Sequence, residues 1–78
     1  MPRSIRAIAT DISRAWGRPN YAAAPYLGAM LSLDSVSDTY GADSAKSVVL
    51  YFLSNASTFR GPAAERLKAE LKALVGVR

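Results

Sequence analysis

Val48-Val49-Leu50-Tyr51-Phe52-Leu53 is the stretch whose reading decides the fold of this 78-residue chain. Taken alone it favours a β-strand, because β-branched and aromatic residues suit a pleated surface. Its surroundings reverse that preference. Ala45, Val48, Val49, Phe52, Leu53 and Ala56 recur at helical spacing, the signature of one apolar helix face. No turn former interrupts the run between Asp43 and Asn55. A helix from Asp43 to about Ser57 is therefore expected. Asp43 suits its N-cap, where a carboxylate accepts from unpaired N–H groups and favours the positive helix end.

Working outward, Gly61-Pro62 opens a further helix that runs to Val75. Proline fits the first helical position, and Gly76 follows the last. Ala64, Leu67, Leu71 and Leu74 form its apolar stripe, and Arg66 and Glu70 stand four residues apart as an ion-pair candidate. Towards the N-terminus, Ile5, Ile8, Ile12 and Trp16 recur every three or four residues. They predict a helix over Ser4–Trp16, capped by the Ser4 hydroxyl and stopped by a left-handed Gly17. A second helix is expected to start near Ala22 or Pro25 and to end near Leu33. Asp34-Ser35-Val36-Ser37-Asp38 either extends it or turns.

Four helical segments with short links predict an all-α fold, a compact bundle of about four short helices in one domain spanning residues 1–78. The third segment is the most apolar and is expected at the centre, touching the other three. The longest weakly polar stretch, Tyr21 to Leu31, contains Pro25 and Gly28. It falls short of the roughly 20 residues a bilayer span needs, so no membrane role is expected.

The composition excludes several chemistries. With 50% hydrophobic and 21% charged residues, the chain is too apolar for intrinsic disorder. It has no Cys and no His. Disulfides, thiol nucleophiles, zinc ribbons and the usual neutral-pH base are thereby removed, and neither a metal nor a cofactor is expected. Asp34 and Asp38 share a helical spacing, but they read as capping and turn residues. Serines are plentiful without a base beside them. No enzyme is expected, and the lack of Cys fits a reducing cytoplasmic location.

The net charge of +4 is unevenly spread. Residues 1–18 carry +3, residues 19–59 carry −2 and residues 60–78 carry +3. Arg3, Arg6 and Arg14 share the helix face opposite the isoleucines. With Arg66, Lys68 and Lys72 they are the candidates for phosphate contact, as an alternative to plain solvation. A helix-turn-helix formed by the second and third segments would need base-reading side chains early in the third; it offers Ser44, Lys46 and Ser47 instead.

The third segment also has an uncharged polar strip: Ser44, Ser47, Tyr51, Ser54 and Asn55. A solvated face on so basic a chain would ordinarily collect charge. The strip is therefore either packed against the other helices, the first expectation, or offered to a partner. Phe59 beside Arg60 is read as a plug of the corner before the fourth helix, or else as a contact pair. Ser47, Tyr51, Ser54, Asn55, Phe59 and Arg60 are the protein-contact candidates. Trp16 and Tyr21 flank the first link as core lids or exposed anchors.

Two stretches carry a resemblance. Ile5-Arg6-Ala7-Ile8-Ala9-Thr10-Asp11-Ile12 with Trp16 leads into Asn20-Tyr21-Ala22-Ala23-Ala24-Pro25-Tyr26-Leu27-Gly28-Ala29-Met30. Tyr40-Gly41-Ala42-Asp43-Ser44 and Val49-Leu50-Tyr51-Phe52-Leu53-Ser54-Asn55-Ala56 follow, then Phe59-Arg60-Gly61. Together they resemble small proteins encoded by phages and mobile elements of Gram-positive bacteria, over nearly the whole chain. The resemblance implies a genomic setting and carries over no catalytic or binding residue. Small proteins of that setting are commonly anti-defence factors that bind a bacterial protein. With no catalytic residues in the inventory, the expectation is a non-enzymatic protein in a bacterial cytoplasm that binds a host macromolecule, first a host protein, in the manner of anti-CRISPR-like inhibitors. A basic chain does not mimic DNA. A nucleic-acid-binding accessory role is the alternative, and a homodimer through the neutral strip is a third.

Overall fold

Apolar spacing decides the elements. In the computed structural model, which describes residues 3–34, 39–40 and 43–76, the chain forms α1 (Ile5–Ala15), α2 (Ala24–Met30), α3 (Ala45–Ser54) and α4 (Pro62–Val75). The fold is the expected all-α bundle. Two residues of β1 (Thr39–Tyr40) pair antiparallel with β2 (Asp43–Ser44), Thr39 opposite Ser44 and Tyr40 opposite Asp43.

Val48–Leu53 is helical, as the 3.6-residue period requires. Ala45, Val48, Val49 and Phe52 are buried on one side of α3. The helix begins one residue later than expected. Ser44, not Asp43, is the N-cap: its backbone is extended and its Oγ accepts from the Ser47 N–H at 3.1 Å. The helix also ends earlier than expected, at Ser54. The Asn55 amide donates to the Tyr51 carbonyl at 2.8 Å, and its N–H turns back to the Phe52 carbonyl. These bonds take up carbonyls that a continuing helix would have used.

In α1 the Ser4 hydroxyl accepts from the Ala7 N–H at 3.1 Å, the expected cap. Its end differs from expectation. Gly17 does not take a positive φ; Trp16 closes the helix, its N–H meeting the Ile12 carbonyl at 2.7 Å. Pro25 stands in the first turn of α2, and Pro62 opens α4 behind Gly61 at φ 110°. Only glycine reaches that conformation without strain. Gly76 ends α4 in the left-handed region, φ 76°.

The helices close a ring. α1 packs on α4 and α2, and α3 packs on the same two from the opposite side. So α3 is not the hub expected of the most apolar segment. With only four helices, each lays its apolar stripe against two neighbours, and Trp16, just past the end of α1, reaches Phe52 of α3. Ile5, Ile8 and Ile12 from α1, Met30 and Leu33, Phe52, Leu67 and Leu71 fill the middle in one continuous cluster. The radius of gyration is 11.1 Å, about that of a compact fold of this length.

The α2–α3 connection is long. A helix-turn-helix needs a turn of three or four residues, whereas α2 ends at Met30 and α3 starts at Ala45. Of Asp34 and Asp38, read as capping and turn residues, Asp38 lies outside the described residues. Asp34 serves structure: its carbonyl accepts the Ile5 N–H at 3.0 Å and its carboxylate pairs with Arg6. No described helix is long and apolar enough to cross a membrane.

Candidate functional site

The ring has one charged side and one uncharged side. Residues 19–33 and 47–59, which supply α2, nearly all of α3 and their flanking turns, contain no charged residue. Most described charges lie on α1, α4 and their extensions; Asp34 after α2, Asp43 in β2, Lys46 at the start of α3 and Arg60 before α4 stand outside them.

On the uncharged side, Tyr51 of α3 is half-exposed, 51%. Its ring leans on that of Tyr26 in α2, centroids 5.5 Å apart and planes inclined by 35°. Tyr26 is itself packed against the core, so it holds Tyr51 in place. Ser44 and Ser54 are exposed, and Ser47 and Asn55 partly so. Their polar groups are satisfied within α3: Ser44 Oγ donates to Ser47 Oγ at 3.0 Å, and Ser54 Oγ donates to the Leu50 carbonyl at 3.0 Å. The strip is thus not packed under a neighbouring helix, which was the first expectation. α2 is only seven residues long and covers Tyr51 by one ring, leaving the rest open.

Asn20 fixes one end of this side. Its Oδ1 accepts from the Ala23 N–H at 2.9 Å, and its Nδ2 donates to the Asn55 carbonyl and to Thr58 Oγ1, both at 3.0 Å. The start of α2 is thereby tied to the end of α3. Tyr21, next in the chain, is 92% exposed. Nothing in the spacing singles out Tyr26 or Asn20. The signal that points to this side is the uncharged run 19–33.

Phe59 is 3% exposed and is not offered to a partner. It stacks on Trp16 with centroids 4.8 Å apart, and Trp16 meets Phe52 edge-on at 6.2 Å. The corner plug is the role Phe59 takes, and Trp16 is the lid. Arg60 is exposed, its Nε donating to the Ser57 carbonyl at 3.2 Å, so the two residues do not form a joint contact pair.

The candidate phosphate contacts do not assemble into one surface. Arg3 turns to α4, donating from Nε and Nη2 to Glu70 at 3.0 and 2.8 Å and from Nη1 to Asp11. Arg6 turns the other way, to Asp34. Glu70, expected to pair with Arg66, accepts Arg3 instead, because the N-terminus of α1 lies beside the end of α4. Lys68 donates to the Ala56 carbonyl at 3.2 Å and sits 5.9 Å from the Phe59 ring centroid. Arg14, Arg66 and Lys72 are exposed. Arg66 follows the flank of α4 that faces α1, where its charge acts on Asp11; Lys68 and Lys72 follow the other flank.

The hydrogen bond from Arg3 holds the Asp11 carboxyl below the ordinary carboxylate range, against partial desolvation; the charges of Arg3, Arg14 and Arg66 add to it. The same bond, then that to Glu70, raises the pKa of Arg3. Native Asp11 binds a proton less readily than unfolded Asp11, so its contribution is complete near neutral pH and is lost as pH falls below about 4. Arg3→Ala should therefore lower the Tm at pH 7, with the gap to wild type closing as pH falls towards 3. Thermal melts across that range check this; a gap constant with pH would contradict it.

Among the described residues, no polar or charged side chain is buried and no cluster of acids stands where a metal would be held. No family model, curated protein or solved structure matches the chain.

Proposed function

We propose that this chain is a non-enzymatic binding module that acts on a bacterial host protein through its uncharged α2–α3 side. The observation that carries the reading is the half-exposed Tyr51 held by Tyr26 in surroundings without charge. An aromatic ring already fixed loses little entropy on binding, and the small neutral groups around it cost little to desolvate. The resemblance to phage and mobile-element proteins supplies the setting, a host cytoplasm, and anti-defence inhibition is the role that setting favours. The mechanism is steric: a bound helical module occludes or sequesters its target.

Capture from bacterial lysate tests it. The immobilised chain is expected to retain host protein that Tyr51→Arg loses at least about tenfold, as for a central contact residue. Equal capture by the two forms would overturn the reading.

A nucleic-acid accessory role is the second reading, and exposed Arg14, Arg66 and Lys72 are what favour it. Arg3 and Arg6 are already engaged by carboxylates, so these two candidates are not free to displace counterions. Absence of duplex binding even at about 20 mM salt would remove it.

A further inference from the structure

We infer that a second copy of this chain is the protein that covers the uncharged α2–α3 side, making a weak, two-fold symmetric dimer. The inference rests on reading that side as a protein-contact face and names its first occupant.

Symmetry and charge select the occupant. In a two-fold interface the same patch is used twice, so charges near the axis meet their own kind. For a chain of net charge +4, most faces would bring arginines and lysines together at a cost of like-charge repulsion. On α1 and α4, exposed Arg14, Arg66 and Lys72 would do so. The α2–α3 side supplies little to repel: residues 19–33 and 47–59 carry no charge, and Lys46 stands at the very start of α3. It supplies a fixed aromatic pair, Tyr26 and Tyr51, of the residue type enriched in interface cores. Rings on one copy can lie on small residues of the other: Ala22 stands four residues before Tyr26, and Ser47 and Ser54 stand about a turn to either side of Tyr51.

The size of the patch sets the strength. α3 is ten residues long, about 15 Å, and two adjacent helices are about 20 Å across. A patch of that footprint hides a few hundred Å² per copy, well under the roughly 800 Å² per partner of a standard stable complex. The dimer should therefore form and separate in the micromolar range or weaker. Such a dimer masks the tyrosines in free protein and yields them to a host protein that binds more tightly, so the copy and the host compete for one face.

Sedimentation of the full chain from about 5 μM to about 1 mM tests the inference, a range that brackets a weak dimer. The weight-average mass is expected to rise from the 8.3 kDa of the monomer towards twice that value. Tyr51→Arg and Ser54→Arg, each placing a cation on both copies, should weaken association at least about tenfold. Ser54 is exposed, so its variant keeps the test valid if replacing Tyr51 disturbs folding. Lys72→Ala, on α4, should associate as wild type does. A monomer at every concentration overturns the inference, as does association untouched by both arginine variants. Should the monomer still capture host protein that Tyr51→Arg does not, the contact-face reading survives without the dimer; equal capture removes both.

Discussion

Phe52→Ala should destabilise the chain by about 3–5 kcal/mol, the range for deleting a fully buried phenylalanine. Phe52 is completely buried at the middle of α3. It belongs to the single buried cluster to which all four helices contribute, edge-on to Trp16 at 6.2 Å. Removing the ring takes away its transfer energy and leaves a cavity that cannot collapse, because α2 and α4 hold α3 from both sides. For a chain of 78 residues, total stability is only about 4–12 kcal/mol, so the loss is a large fraction of it. In urea, with a slope near 1 kcal/mol/M for so small a protein, the midpoint should fall by about 3 M or the native baseline should vanish. A fall of less than about 1 M would show that the core is not organised around this ring.

Trp16→Ala should cost about 3 kcal/mol, the lower end for a large aromatic because the side chain is only partly buried. Trp16 ends α1, stacks on Phe59 with planes 15° apart, and touches Phe52 of α3. It thus links the end of α1 to α3 and to the corner between α3 and α4. Loss of the ring should free Phe59 as well, exposing the surface under Lys68. A double-mutant cycle with Phe59→Leu isolates the stacking itself, for which about 0.5–1.5 kcal/mol is expected. Additivity within about 0.3 kcal/mol would mean that the two rings are neighbours without coupling.

Much of the architecture can be read from residue order. The isoleucines of α1 and the leucines of α4 keep helical spacing without a competing pattern. In α3 the period of Ala45, Val48, Val49 and Phe52 outweighed the strand preference of Val48–Leu53, because burial of one continuous face is worth more than intrinsic propensity. Boundaries were less legible. Asp43 and Ser44 are both good caps, and the role falls to Ser44, whose backbone is extended where it pairs with Thr39. Gly17 looked like a stop by type, yet the Trp16 backbone ends α1 without a positive φ.

The contact surfaces were legible in one part only. The neutral strip of α3 follows from a helical wheel, and its exposed members follow from the short span of α2. What the strip lies beside does not follow from the order of residues. Tyr26 and Tyr51 are 25 positions apart and meet only because α2 and α3 are neighbours in the ring. The basic candidates misled for the same reason. Arg3, Arg6 and Arg14 share a face of α1, but the partners that draw two of them aside, Glu70 and Asp34, come from elsewhere in the chain.

An amide spectrum of the isotope-labelled chain, compared dilute and concentrated, tests most directly whether contacts lie on the uncharged side. Shifts are expected within Ala22–Ala29 and Ser47–Ser54, with Arg14, Arg66 and Lys72 unmoved. Shifts centred on Arg14, Arg66 and Lys72 that fade with added salt would contradict the account, and a spectrum that does not change with concentration would remove the dimer.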